Sequence, residues 1–375
     1  MKEKCVIVRH HMVGSKLLGA GGAEYTALEA AIGLAKHGFR VFLQSAGVRT
    51  PERLLKLARF FGISYHELRG IGLGPADCEE CIILNTSGDS FSGRADIVYY
   101  HFPSIVRAEA YYPGLKGFIR LGGEVYSVFN RLLYPISLSK AKLVLANSSF
   151  TACFLERIYG KKPIIVYPPV NIKPFQEKYV PRDEREKYFL VVSRISYEKQ
   201  PYRILYLAKI LRKLGLRDWK IVLAGSKSRY TRDLVKEMLS IAEKTDVIDY
   251  IRIVYKPSRK TLIDLYRKAY AYVHFTEKEH FGITVVEAMA AGTPTIIPRN
   301  SGAWFDIAKR DSRLVLAYSS LDELGEYIKK IIEEPELWET LSKNSRIHAR
   351  SFSRERFHDE IAKYTKVVYY IKKGR

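Results

Sequence analysis

Apolar residues fall into short continuous runs, separated by longer stretches with helical spacing, from one end of the chain to the other. In the first half the runs are 5–8, 41–43, 82–84, 97–99, 143–146 and 164–166; in the second they are 189–192, 221–224, 251–254, 271–274, 295–297 and 314–316. Short apolar runs without alternation read as strands of a parallel sheet buried on both faces. Between them, residues 23–36, 202–214 and 260–268 place apolar side chains on one helical face, and His37-Gly38 closes the first of these helices. Strand and helix in turn predict an α/β chain with two doubly wound sheets. The stretch 167–185 opens on Tyr167-Pro168-Pro169, carries charges without periodicity, and reads as the linker between halves. A long amphipathic stretch, 354–372, ends the chain.

With 375 residues and 47% hydrophobic residues the chain can fill two cores. No run approaches the roughly 20 apolar residues of a spanning helix, and the first apolar segment is too short for a signal peptide. A cytoplasmic protein is therefore expected. The formal charge of +22 favours polyanions or an anionic membrane surface as partner. Glutamine occurs only at 44, 176 and 200, while Lys, Arg, Glu and Tyr abound, a bias seen in proteins of hot habitats. Of the four cysteines, Cys78 and Cys81 have the spacing of half a zinc site, but no second pair completes it, and Cys81 reads as a buried thiol.

The densest chemical signal is Glu277 to Gly302, EKEHFGITVVEAMAAGTPTIIPRNSG. A Phe281-Gly282 turn opens a short helix, 283–291, which Gly292 ends ahead of Pro294 and the strand 295–297. A glycine turn at a helix start offers free N–H groups and the positive end of a dipole to an anion. Glu279 precedes the helix, and Glu287 lies on its Ile283 face. An anion cradle between two carboxylates suits a ligand with phosphates and hydroxyls, and a nucleotide sugar is one.

These residues resemble the signature of the retaining glycosyltransferases of family 4, which have the GT-B fold. The resemblance runs from Gly21-Gly22-Ala23-Glu24, similar to the family's N-terminal glycine loop, to Phe352-Ser353-x-x-Arg356-Phe357. It implies two Rossmann-like domains facing across a cleft. These are 1–170 for the acceptor and 186–350 for the nucleotide sugar, with a C-terminal helix, about 354–375, crossing back to the first. Arg194 and Lys199, in Ser193-Arg194-Ile195-Ser196-Tyr197-Glu198-Lys199, match the family's basic pair for the donor diphosphate and stand in for a divalent metal, so no cofactor is expected. Glu287 is implied to bind ribose hydroxyls and Glu279 sugar hydroxyls. The N–H groups of Gly282 and Ile283, beside Phe281, are implied to hold the diphosphate with the two cations. Gly21 and Gly22 let backbone approach a phosphate or sugar, while Glu24 is either a ligand or a helix-start carboxylate.

Tyr100-His101-Phe102-Pro103 resembles the mannosyltransferases that build lipid-linked oligosaccharides in eukaryotes and archaea, and places His101 beside the transferred sugar. Asn147-Ser148-Ser149-Phe150-Thr151 is similar to the same enzymes. Asn300-Ser301-Gly302-Ala303 departs from the usual pattern at Ala303, followed by the bulky Trp304. The expected reaction is transfer of a hexose with retention. The expected donor is GDP-mannose, with UDP-glucose or UDP-N-acetylglucosamine as alternatives, and the expected acceptor is a saccharide on a lipid. A sugar-nucleotide 2-epimerase and a basic nucleic-acid binder are the rivals from other classes. The stretch 105–134 mixes Arg107, Lys116, Arg120 and Arg131 with Tyr111, Tyr112, Phe118, Tyr126 and Phe129, as an interfacial membrane surface would.

Overall fold

The computed structural model describes residues 4–10, 21–45, 47–74, 80–87, 93–102, 118–226 and 232–374. The chain divides into two compact units. The first takes the described residues up to Pro169 and those from Phe352 onward; the second is Val170–Ser351.

Unit 1 contains strands β1 (Cys5–Arg9), β2 (Arg40–Gln44), β3 (Ile71–Leu73), β4 (Ile82–Asn85), β5 (Ile97–Tyr100), β6 (Leu143–Ala146) and β7 (Ile164–Ile165). Helices α1 (Gly22–Lys36), α2 (Pro51–Phe61), α3 (Phe118–Lys140) and α4 (Ser149–Tyr159) connect them. The sheet is parallel, in the order β3-β2-β1-β4-β5-β6-β7. All six apolar runs of the first half lie in strands. The seventh strand, β3, has only two apolar residues around Gly72. A side chain there would meet the Phe42 ring, with a Cβ 2.6 Å from it, so the strand lacks the run that would announce it.

One expectation is corrected here. Cys81 is not a thiol: it is disulfide-bonded to Cys5, 76 residues earlier. Val6 stands opposite Ile82 in the β1–β4 pairing, so the two cysteines occupy the preceding pair of positions on neighbouring strands. Cys78 lies outside the described residues.

Unit 2 contains β8 (Glu186–Val192), β9 (Lys220–Gly225), β10 (Ile251–Tyr255), β11 (Ala269–Val273), β12 (Thr295–Pro298) and β13 (Leu316–Tyr318), again parallel, in the order β10-β9-β8-β11-β12-β13. Its helices are α5 (Lys173–Gln176), α6 (Ile204–Lys213), α7 (Arg232–Lys244), α8 (Arg259–Lys268), α9 (Ile283–Ala290), α10 (Leu321–Glu333) and α11 (Pro335–His348). β13 begins two residues later than its apolar run, because Asp311 accepts the Arg313 N–H and Leu314 closes a turn onto Asp311.

The stretch read as a linker contributes to this core. Phe175 is fully buried. Arg185, 6% exposed, donates to the carbonyls of Val180, Tyr266, Ala269, Ala291 and Gly292 and to the Thr293 hydroxyl. Burial draws its pKa down to about 10, partly offset by neighbouring tyrosines and Glu339. The carbonyls of Ala291 and Gly292 mark the C-terminal end of α9, where a cation is favoured.

The final helix, α12 (Arg354–Lys372), belongs to unit 1. Its Arg354 and His358 both donate to the fully buried Glu29 of α1, at 3.0 and 2.7 Å, and Arg354 also pairs with Glu67 at 2.7 Å.

Arg107, Lys116, Tyr111, Tyr112 and the side chains of Phe118, Arg120, Tyr126 and Arg131 lie outside the described residues. The described part of α3 exposes Leu121, Val125, Val128, Phe129 and Leu132, a helical spacing that puts them on one face. Among the described residues no helix is long and apolar enough to cross a membrane.

Candidate functional site

In a doubly wound sheet, ligands bind beyond the carboxyl ends of the strands where the strand order reverses. In unit 2 that point lies between β8 and β11. The turn after β8 carries Arg194, which is exposed, and Lys199. The loop after β11 carries His274 and Glu279 and leads into α9. The order of strands therefore brings Lys199 to Glu279, although 80 residues separate them: Lys199 Nζ donates to Glu279 Oε2 at 2.6 Å.

The loop is held from behind. Gly302 N–H donates to the Glu279 carbonyl at 2.7 Å, and Lys278 N–H to the Asn300 carbonyl at 2.6 Å. A Cβ on Gly302 would come within 2.1 Å of the His280 carbonyl oxygen, so only glycine admits this approach. Ala303 and Trp304, the departures from the family pattern, are both buried. Gly282 has φ +106° at the N-terminal cap of α9, a conformation that L side chains rarely adopt. It turns the chain so that the first N–H groups of α9, which have no intrahelical acceptors, follow directly on the Glu279 loop. Phe281 is 2% exposed and anchors the turn.

Glu287 lies one turn into α9, 5% exposed. Arg259 of α8 donates to its Oε1 at 2.7 Å, and the Arg259 guanidinium lies over the Phe175 ring at 4.9 Å. Glu279 and Glu287 thus share one design. Each commits a single carboxylate oxygen to one cation, Oε2 to Lys199 and Oε1 to Arg259. The second oxygen of each can accept hydrogen bonds from hydroxyls. Burial alone would raise the Glu279 pKa, but the Lys199 charge and His274 outweigh it and hold the carboxyl well below its ordinary range.

Behind Glu279, His274 Nε2 lies 3.4 Å from Oε2. His274 Nδ1 meets the Tyr272 hydroxyl at 3.0 Å, which donates to Thr284 Oγ1 at 2.9 Å. Arg203 pairs with Glu277 at 2.6 Å beside this set.

In unit 1 the order reverses between β1 and β4. His10 follows β1, Thr86 follows β4 and His101 follows β5. His10 Nδ1 lies 3.1 Å from Thr86 Oγ1, His101 Nε2 lies 3.1 Å from the Thr86 carbonyl, and the two imidazoles stand edge to face at 6.3 Å. Gly21 caps α1 with its N–H donating to Glu24 Oε2 at 2.8 Å. That contact makes Glu24 a helix-start carboxylate, and Gly22 next to it is exposed.

Of the residues the sequence singles out, the structure brings Lys199 to Glu279 and sets Phe281, Gly282, Ile283 and Glu287 on the adjoining turn and helix, with Arg194 exposed in the same turn as Lys199; His101, Gly21 and Gly22 lie in unit 1. Sequence reading missed His10, Thr86, His274 and Arg259. The first three follow strands directly, the place where open α/β sheets bind ligands. Arg259 has no such signal.

The two parallel-sheet units make this a GT-B fold. Solved structures share it over nearly the whole chain. Sucrose-phosphate synthase from Thermosynechococcus elongatus superposes with a TM-score of 0.70 at 18% identity, covering 98% of this chain and 100% of that one. Anabaena HepE in complex with UDP-glucose superposes with a TM-score of 0.67 at 17% identity, covering 97% and 99%.

Residues 173–348 match the family model described as Glycosyl transferases group 1, so unit 2 is a group 1 glycosyl transferase domain. The chain is 28% identical over 321 residues to the GDP-Man:Man(3)GlcNAc(2)-PP-Dol alpha-1,2-mannosyltransferase of Dictyostelium discoideum, covering 76% of this chain and 63% of that protein. It is 24% identical over 403 residues to the Alpha-1,3/1,6-mannosyltransferase ALG2 of Mus musculus, covering 94% of each. The chain thus spans less than two thirds of the first of these relatives.

Proposed function

We propose that this protein is a retaining glycosyltransferase that moves a hexose, mannose from GDP-mannose, to a hydroxyl of a lipid-linked saccharide. The observation that carries the reading is the pair of half-committed carboxylates at the start of α9. Glu287 takes the ribose hydroxyls on its second oxygen, and Glu279 takes sugar hydroxyls on its own. The N–H groups of Gly282 and Ile283 hold the diphosphate with Arg194 and Lys199. Departure of the nucleoside diphosphate builds negative charge on its oxygens, and fixed cations with a helix N-terminus stabilise it. These groups do so without a divalent metal. Unit 1 takes the acceptor, whose hydroxyl attacks on the face the leaving group vacates; its Gly21 and Gly22 approach the donor, and His101 stands beside the transferred sugar.

The mannose donor rests on the relatives, whose names specify GDP-Man or mannosyl transfer. The lipid acceptor rests on the same names, on the +22 charge and on the exposed apolar face of α3. Together these support a reading in which the enzyme works at the cytoplasmic face of a membrane, bound from the side.

A thermal-shift panel of GDP-mannose, UDP-glucose and UDP-N-acetylglucosamine tests the donor. A ligand at a hundred times its Kd stabilises the native state by about 2.7 kcal/mol, so GDP-mannose should raise the melting temperature above the other two. A shift with a UDP sugar alone would replace the donor, and no shift with any of them would remove the reading.

A further inference from the structure

Two ion pairs join the turn after β8 to the loop after β11. Lys199 meets Glu279 at 2.6 Å, and Arg203 meets Glu277 at 2.6 Å. They stand as two rungs between the same two segments, and each segment carries a strained residue between its rungs. Gln200 has φ +51° and Lys278 has φ +54°, a left-handed conformation that is uncommon for residues with a side chain. Such a conformation persists where its surroundings over-determine it. The Gln200 N–H donates to the Tyr197 carbonyl at 3.0 Å and the Arg203 N–H to the Gln200 carbonyl at 3.1 Å, with the buried Pro201 between them. The Lys278 N–H donates to the Asn300 carbonyl at 2.6 Å. Within each segment the backbone is thus tied, and the rungs tie one segment to the other.

The rungs differ in what else they touch. The Arg203 side chain is 17% exposed. Burial would lower its pKa, but the Glu277 hydrogen bond, with Tyr318 beside the guanidinium, outweighs burial and raises it. Tyr318, buried on β13, donates its hydroxyl to the His274 carbonyl at 3.0 Å, where the loop after β11 begins. The Arg203 rung is therefore backed by two strand ends of the sheet. Lys199 is the cation that the donor-site reading gives to the diphosphate. When its ammonium turns from Glu279 to a phosphate, one rung opens, and the strained turn that carries Lys199 keeps the other.

We propose that Arg203 is a positioning residue of the donor site: its pair with Glu277 holds the Lys199 turn against the Glu279 loop while Lys199 leaves Glu279 for a nucleoside diphosphate. Arg203 acts through Glu277 and touches no phosphate itself. The inference rests on the donor-site reading above and adds to it the contact that lets one side chain change partners without the two segments parting.

Isothermal titration of GDP against GMP, and of UDP against UMP, reads the grip on the second phosphate. The wild type should bind at least one diphosphate more tightly than its monophosphate. Lys199→Ala should shrink that preference about tenfold, the size of losing one charge-assisted contact. Arg203→Met and Glu277→Gln should each shrink it several-fold and to the same extent, and the two together no more than either alone. In Lys199→Ala, adding Arg203→Met should cost less than about a further twofold, because residues that act as one unit are not additive. Arg203→Lys keeps a cation against Glu277 and should recover most of the preference. Melting curves check each fold, and Glu277→Gln, at a side chain 40% exposed, carries the test if Arg203→Met does not fold. An undiminished preference in Arg203→Met and Glu277→Gln would overturn the proposal, as would a loss that adds in full to that of Lys199→Ala. A loss in Arg203→Met far larger than in Glu277→Gln would put Arg203 on the phosphate itself and overturn it too. No diphosphate preference in the wild type, or one that Lys199→Ala leaves intact, would instead remove the donor-site reading, and the proposal with it.

Discussion

Lys199 and Glu279 meet at 2.6 Å across the switch point of the second sheet, one carried by the turn after β8 and the other by the loop after β11. Both are mostly buried, with side-chain exposures of 20% and 16%. In this structure the lysine holds the glutamate as a carboxylate.

Lys199→Ala should lower turnover by about two to three decades, by analogy with removal of one transition-state donor, and should leave GDP binding less affected than kcat. Steady-state kinetics with GDP-mannose checks this. The same assay in EDTA should retain full activity if Arg194 and Lys199 take the place of a metal as proposed; an absolute need for magnesium or manganese would contradict that role.

Acid should expose the Glu279 pairing. Its folded pKa is depressed, against burial, by Lys199 and then His274. The stabilisation is therefore present above the ordinary carboxylate pKa of about 4.3 and is lost as pH falls from there towards the depressed folded value. Urea unfolding of Glu279→Gln at a series of pH values should show a shallower loss of stability below about pH 5 than the wild type. Parallel curves would mean that the pairing contributes nothing to the native state.

The fold was largely legible because buried parallel strands announce themselves as apolar runs, and each such run meets a strand, though 314–316 shares only Leu316 with β13. β3 was not, since Gly72 packs against Phe42 where a run would have needed a side chain. The carboxylates and Lys199 were legible through their motifs. Arg259 was not: it meets Glu287 only because α8 lies beside α9, and nothing in a local pattern tells of that. His10 and His274 each follow a strand directly, so a search of strand ends would have reached them. The Cys5–Cys81 bond was hidden for another reason, because the pairing of β1 with β4 follows from strand order and not from cysteine spacing.

That bond closes a separation of 76 residues. Removing such a crosslink is expected to lower stability by about 2–4 kcal/mol, chiefly by releasing the unfolded chain. Urea unfolding of Cys5→Ser/Cys81→Ser, and of the wild type under reductant, should show a lower midpoint. A midpoint unchanged in both would contradict a stabilising disulfide.

Vesicle sedimentation tests the membrane face. Wild-type protein should pellet with anionic vesicles at low salt and much less at high salt, because each Lys or Arg at such a surface contributes about 1 kcal/mol, decaying within a Debye length. Changing Arg107, Lys116, Arg120 and Arg131 to Glu should abolish pelleting, and Leu121→Ser/Phe129→Ser/Leu132→Ser should weaken it without changing the salt dependence. Undiminished pelleting of both variants would move the membrane face elsewhere.

The donor site itself is tested most directly at Glu287, which is buried beside Arg259 and offers one oxygen to a ligand. Isothermal titration of GDP-mannose into wild type and Glu287→Ala, with melting curves of both, separates binding from folding. Loss of a buried, charge-assisted contact to a ribose hydroxyl is worth about 1.5–3 kcal/mol, so the variant should bind at least tenfold more weakly while remaining folded. Binding by a folded Glu287→Ala as tight as by the wild type would contradict the site.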